Sequence, residues 1–128
     1  MKLAMISIHP EFVEKIFKGY KQYEYRKTYI NANVFFIYET APVSAVVGFF
    51  NASCTKAAPD HIWHYTGAMG GFGRDEFFKY FEGKKKAFCY NIYCFVKFAK
   101  PVPLEYFGLK RAPQSFCYLA NDMKGEPQ

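Results

Sequence analysis

Three residues close together in the chain carry the strongest chemical signal. They are Lys21, Glu24 and Arg26, in the pattern Gly19-x-Lys21-x-x-Glu24-x-Arg26. Residues 22–27 alternate in polarity as a strand does, so Glu24 and Arg26 share a face about 7 Å apart, with Tyr23 and Tyr25 on the other. Lys21 sits at the turn that leads into the strand. A neighbouring cation keeps Glu24 ionised. Two readings follow. The charges form a cross-strand ion pair at a rim, or they grip a ligand together. In the second case the carboxylate accepts from an exocyclic amino group such as that of cytosine or adenine. The guanidinium donates to a carbonyl or a phosphate. Tyr20, Tyr23, Tyr25, Tyr38 and Trp63 then offer stacking faces for an unpaired base.

Other polar residues are weaker candidates. His9 precedes Pro10, where it either donates to a phosphate, acts as an acid or base, or merely finishes a helix end. Gln114 and Ser115 follow Pro113 and are either cleft-facing or part of a turn. His61 and His64 stand three apart with Cys54 upstream. That set lacks the compact four-ligand spacing of a zinc site, so no metal and no cofactor are expected. The run Lys84-Lys85-Lys86 reads as a phosphate-tracking patch or a solvated turn.

These residues need elements to hold them. Leu3 to Ile8 reads as a strand, and Pro10 opens a helix at the position where its missing N–H does no harm. Phe12, Val13, Ile16 and Phe17 fall on one helical face, and Gly19 ends the helix. Val34 to Tyr38 is apolar throughout and reads as a central strand. Ser44 to Cys54 reads as a long strand in which Gly48 marks a bulge or a close approach. Residues 56–72 show no clear period, and 61–73 read as a rim or lid loop. A helix over 74–82, a strand over 87–98, a short extended piece between Pro101 and Pro103, and a closing strand over 116–119 complete the series. The pattern predicts an α+β domain with about six strands in a mixed sheet, curled into a small barrel, and two short helices.

The totals agree with one domain. The chain has 128 residues, 51% of them hydrophobic and 22% charged, enough for a packed core. The division expected is a single domain over 1–120 and a polar tail over 121–128. Aromatic residues reach 21%, with 15 Phe, 11 Tyr and 1 Trp, more than a core of this size needs. The formal charge of +6 favours polyanionic partners such as RNA. The 4 cysteines form no CxxC pair and lie mostly in apolar runs. With no apparent leader and no long apolar run, they suggest a reducing, cytoplasmic setting with no membrane contact.

The stretch SIHPEFVEKIFKGYKQYEYRK resembles the opening of the ASCH family: a strand, Pro, a short helix, then G-x-K-x-x-E-x-R. The segments IYETAPVSAVVGFF, the pair Ile62-Trp63, FFKYFEGKKKAF and APQSFCYL are similar to a subgroup of such proteins, so the resemblance covers about residues 3–119. It implies a PUA-like pseudo-barrel with a cleft beside the first helix. It also implies binding of RNA or a modified nucleoside or nucleotide, in RNA metabolism or transcriptional regulation. The implied ligand residues are His9, Lys21, Glu24, Arg26, Tyr38, Trp63, Gln114 and Ser115. Some members of the family are N4-acetylcytidine amidohydrolases, with a catalytic lysine where Lys21 stands and a threonine nucleophile where Glu24 stands. A ribonuclease activity is attributed to others. Here Lys21 and Glu24 would be the catalytic pair of an enzyme, but a carboxylate cannot replace a hydroxyl in acyl transfer without a change of mechanism. The resemblance therefore points to a binding module ahead of a hydrolase, and an interaction adaptor stands as a further alternative.

Overall fold

The structure, a computed structural model, describes residues 2–120; the predicted tail over 121–128 lies outside the described residues. Strand β1 (Leu3–Ile8) is followed by helix α1 (Pro10–Phe17), β2 (Tyr23–Arg26), β3 (Val34–Glu39) and β4 (Ala45–Ala57). Helix α2 (Pro59–Thr66), a 3₁₀ turn (Gly67–Gly70) and α3 (Arg74–Tyr80) come next. Then follow β5 (Ala87–Val102), a second 3₁₀ turn (Leu104–Phe107) and β6 (Phe116–Leu119).

The six strands form one mixed sheet in the order β2-β5-β4-β3-β1-β6. β1 and β3 run parallel, joined across α1, and the other neighbours are antiparallel. The sheet curls into a half-barrel whose edge strands are β2 and β6. β1 is buried on both faces, as a strand apolar at every position but Ser7 requires. Its Ala4, Ile6 and Ile8 join Val13 and Ile16 of α1, Phe35 and Phe50 in one core cluster. Leu3 and Met5 point the other way, into a second cluster with Val34, Val46, Phe107 and Leu119. A third cluster, centred on Phe77, Tyr25 and Ile62, fixes α2 and α3 to the β2–β5 end of the sheet.

The predicted element order holds, with differences that have physical causes. Among the described residues there are three α-helices where two were expected, because residues 59–66 form α2 inside the segment read as irregular. Pro59 stands in its first turn, and Ile62 and Thr66, one turn apart, are its buried stripe. A stripe of two residues is too narrow to show as a helical period. β5 runs through Pro101 to Val102 instead of ending at Phe98. β2 covers β5 only from Phe88 to Asn91, so the distal half of β5 has a free edge, where proline costs no ladder bond. Gly48 is a close-approach point beside a register shift in the β3–β4 pair. A Cβ there would collide with the Val96 carbonyl and come within 2.8 Å of the Phe17 ring.

Candidate functional site

The three charged residues meet in one buried cluster. Lys21 is 4% exposed and Glu24 6% exposed, so both are as deep as the core. Lys21 Nζ lies 3.2 Å from Glu24 Oε1, and Arg26 Nε donates to Glu24 Oε2 at 2.9 Å. Lys21 Nζ also donates to the backbone carbonyls of Tyr23, at 2.7 Å, and Gly70. All three N–H bonds of the ammonium are therefore engaged, two on backbone and one on Glu24. The rings of Phe12, Tyr25 and Phe72 surround the same nitrogen at 5.4, 5.5 and 5.9 Å, which suits a cation.

Burial and charge oppose each other here. Burial is the largest influence on Glu24 and would raise its pKa. Lys21 and Arg26 outweigh it by charge and hydrogen bonding, and hold the carboxyl below its ordinary value. Burial is also the largest influence on Lys21 and moves its pKa down, against the pull of Glu24. Burial likewise raises the Tyr25 hydroxyl to about 12, and that group bonds Thr66 Oγ1 at 2.7 Å.

Arg26 ties the ends of the sheet together. It stands at the end of edge strand β2, and its Nη1 donates to Ser115 Oγ at 2.9 Å, just before edge strand β6. Its Nη2 donates to the Ser7 carbonyl on β1 at 3.1 Å. Ser7 in turn holds the 113–115 segment, through Oγ to the Pro113 carbonyl and through its N–H to the Ser115 carbonyl. The cluster thus lies at the seam where the curled sheet brings its two edges together. Three of the five guanidinium N–H bonds are used, leaving two for a ligand.

A cavity of about 230 Å³ opens on this seam. Its floor is Glu24, Arg26 and Lys21. Phe12, Phe72 and Tyr80 stand around it, and His9 and Gln114 lie at its edge. Phe72 packs edge-on against Phe12 and Tyr80 at 5.6 and 5.5 Å. The loop over 67–72 forms the rim, held by Lys21 on the Gly70 carbonyl and by the Gln22 N–H on the Met69 carbonyl at 2.7 Å.

The structure brings together six of the eight residues singled out from sequence: Lys21, Glu24, Arg26, His9, Gln114 and, through Arg26, Ser115. His9 is the N-cap residue of α1, but its side chain makes no capping bond; its Nδ1 lies 3.2 Å from Thr40 Oγ1. Tyr38 and Trp63 do not line the cavity. Tyr38 packs on the second core cluster, because alternation along β3 turns it away from Ile37 and the seam. Trp63 lies against Phe77 and Phe78 at 5.2 and 6.2 Å. Sequence reasoning missed Phe12, Phe72 and Tyr80. Phe12 was placed on the inward face of α1, and only the fold shows that this end of the face meets Lys21. His61 and His64 join no group of metal-ligating side chains among the described residues.

A curled mixed sheet with a helix-flanked seam cleft defines the PUA-like class of fold. No family model matches the chain. A curated protein of Zymomonas mobilis, "ASCH domain-containing ribonuclease", is 32% identical over 91 residues, which are 67% of this chain and 61% of that protein. The large ribosomal subunit protein uL22 of Ureaplasma parvum is 28% identical over 119 residues, 90% of this chain but 38% of that protein. The chain thus spans less than two thirds of either curated relative. The crystal structure of ASCH from Zymomonas mobilis superposes with a TM-score of 0.85 and 26% identity over 95% of this chain and 90% of that one. A single-substitution variant of it matches equally, at 0.85 and 26% over 96% and 94%. In sequence and in fold, this chain is similar to ASCH domain proteins.

Proposed function

We propose that this domain binds RNA or a modified nucleotide by taking one base into the seam cleft. The observation that carries the reading is the cluster itself: a buried, ionised Glu24 locked between Lys21 and Arg26 at the floor of a small aromatic-walled cavity. Drug-sized sites run to about 300–1,000 Å³. A cavity of about 230 Å³ is below that range and suits a single base. Glu24 keeps spare lone pairs for an exocyclic amino group, and Arg26 keeps two N–H bonds for a carbonyl or phosphate. Phe12, Phe72 and Tyr80 supply apolar ring surface for the base. The relative named as a ribonuclease supports RNA as the polymer.

The same geometry favours binding over turnover. A lysine with all three N–H bonds engaged must break one of them to act as base or nucleophile. No hydroxyl stands at Glu24 to accept an acyl group.

Titration calorimetry with cytidine monophosphate and N4-acetylcytidine tests the reading. Losing a hydrogen bond to a charged group costs about 1.5–3 kcal/mol, so Arg26→Ala weakens binding roughly 10- to 100-fold. Arg26→Lys restores the charge but not the fork, and recovers little. An Arg26→Ala protein that is folded and binds like the parent rules the cleft out. Hydrolysis of N4-acetylcytidine or labelled RNA by the parent, lost in Lys21→Ala, makes the domain an enzyme instead.

A further inference from the structure

A second concave surface lies apart from the cleft. It is an open groove of about 820 Å³, lined by Lys2 just before β1, the segment that precedes β3, the distal part of β4, and β5. Among the described residues its charged lining is Lys2 and Lys56, with no carboxylate. Tyr29 and Tyr93 stand in it 54% and 66% exposed, so most of each ring meets water. Asn31 and Ser53 add exposed polar groups.

The position of Tyr93 is set by the backbone. In the β4–β5 ladder Ala52 pairs with Ile92 and Asn51 with Cys94, so Tyr93 is the extra residue of a β-bulge. Bulges re-aim a side chain that regular alternation would place elsewhere. This one spends a ladder position and leaves a large ring in solvent, which core packing does not explain. Tyr29 is buttressed at 6.0 Å by Phe88, whose backbone pairs with Arg26. Tyr29 is three positions along the chain from Arg26, so the groove begins within roughly 10 Å of the seam along the chain.

We propose that this groove binds single-stranded RNA, holding the nucleotides that flank the base in the cleft. Exposed lysines in a concave wall match a polyanion backbone, and exposed tyrosines match unstacked bases. Asn31 and Ser53 offer partners for ribose hydroxyls. The proposal takes its polymer from the reading above and its site from the groove alone. A flat anionic membrane fits less well, because the rings stand inside a concavity.

Fluorescence anisotropy with a labelled oligouridylate of about eight nucleotides, inside the ~4–16-nucleotide footprint of single-strand grooves, tests this. Tyr93→Ala weakens the oligomer about tenfold, in line with the loss of one stacked base. The double variant Lys2→Gln/Lys56→Gln weakens it and lowers the salt slope by about 1.4, two phosphate contacts on a single strand. Cytidine monophosphate binds all these proteins as it binds the parent. The groove is ruled out if the parent does not bind the oligomer at low salt, or if both variants bind it within twofold of the parent. It is also ruled out if the variants lose only sedimentation with phosphatidylserine vesicles. If Arg26→Ala changes neither ligand while the groove variants weaken the oligomer, the cleft reading fails and the groove stands.

Discussion

The seam cleft and the open groove use the same side-chain types, lysine and tyrosine, in opposite surroundings. In the cleft, Lys21 is 4% exposed and has a partner for every N–H bond. In the groove, Lys2 and Lys56 are exposed beside two largely solvated tyrosines. Dry charges interact strongly and hold fixed geometry, but each depends on the others being present. Wet charges interact weakly and are screened by salt, yet act on any polyanion that passes. A site that recognises one chemical group needs the first arrangement, and a surface that follows a polymer needs the second.

The comparison breaks most visibly at Glu24. Glu24→Ala leaves the buried Lys21 and the partly buried Arg26 without their counter-ion and costs about 3–5 kcal/mol of stability, read from urea denaturation. A shift no larger than that of a groove variant would mean that the cleft is as solvated as the groove. Gly70→Ala is the next largest. Its Cβ would collide with the Tyr25 ring, and its carbonyl holds Lys21. Overpacking of this kind costs about 1–3 kcal/mol. Mononucleotide affinity falls with it, while oligomer contacts in the groove persist.

The pH dependence sharpens the same contrast. The folded pKa of Glu24 lies below its ordinary value of 4.5. Between the two values the unfolded chain binds more protons, so this contribution is present above pH 4.5 and lost as pH falls through the folded value. Unfolding free energy measured from neutral pH down to acid therefore declines below that point in the parent, and Glu24→Gln flattens the decline. The smallest effect is at the exposed pair Lys18–Glu14 on α1, 2.8 Å apart. It is shorter than the Lys21–Glu24 contact, but both partners are in water, and Lys18→Ala leaves the melting temperature unchanged. A measurable shift there would mean that distance outweighs burial in this molecule.

Much of this molecule is legible in its sequence. Strands β1 to β4 and β6 are unbroken apolar runs or alternations, and Pro10 with Gly19 frames α1. Lys21, Glu24 and Arg26 are conspicuous because charged residues cluster where alternation forces two of them onto one face. α2 was missed because a helix with two buried residues shows almost no periodicity. The stacking candidates were sorted poorly for a related reason. Tyr38 and Trp63 are aromatic residues near the right segments, but which side of the sheet or helix they occupy depends on packing partners far away in the chain.

By itself, then, the sequence determined the succession of the strands, the identity of the charged cluster and the resemblance to the ASCH family, because each is written in local spacing. The tertiary structure decided that Lys21 is saturated, that Arg26 joins the two edges of the sheet, and that Phe12, Phe72 and Tyr80 wall the cavity. It also decided that a bulge turns Tyr93 into a second, open groove. Those features depend on contacts between residues as far apart as Arg26 and Ser115, 89 positions along the chain. Such contacts exist only once the sheet has curled, and no local pattern records them.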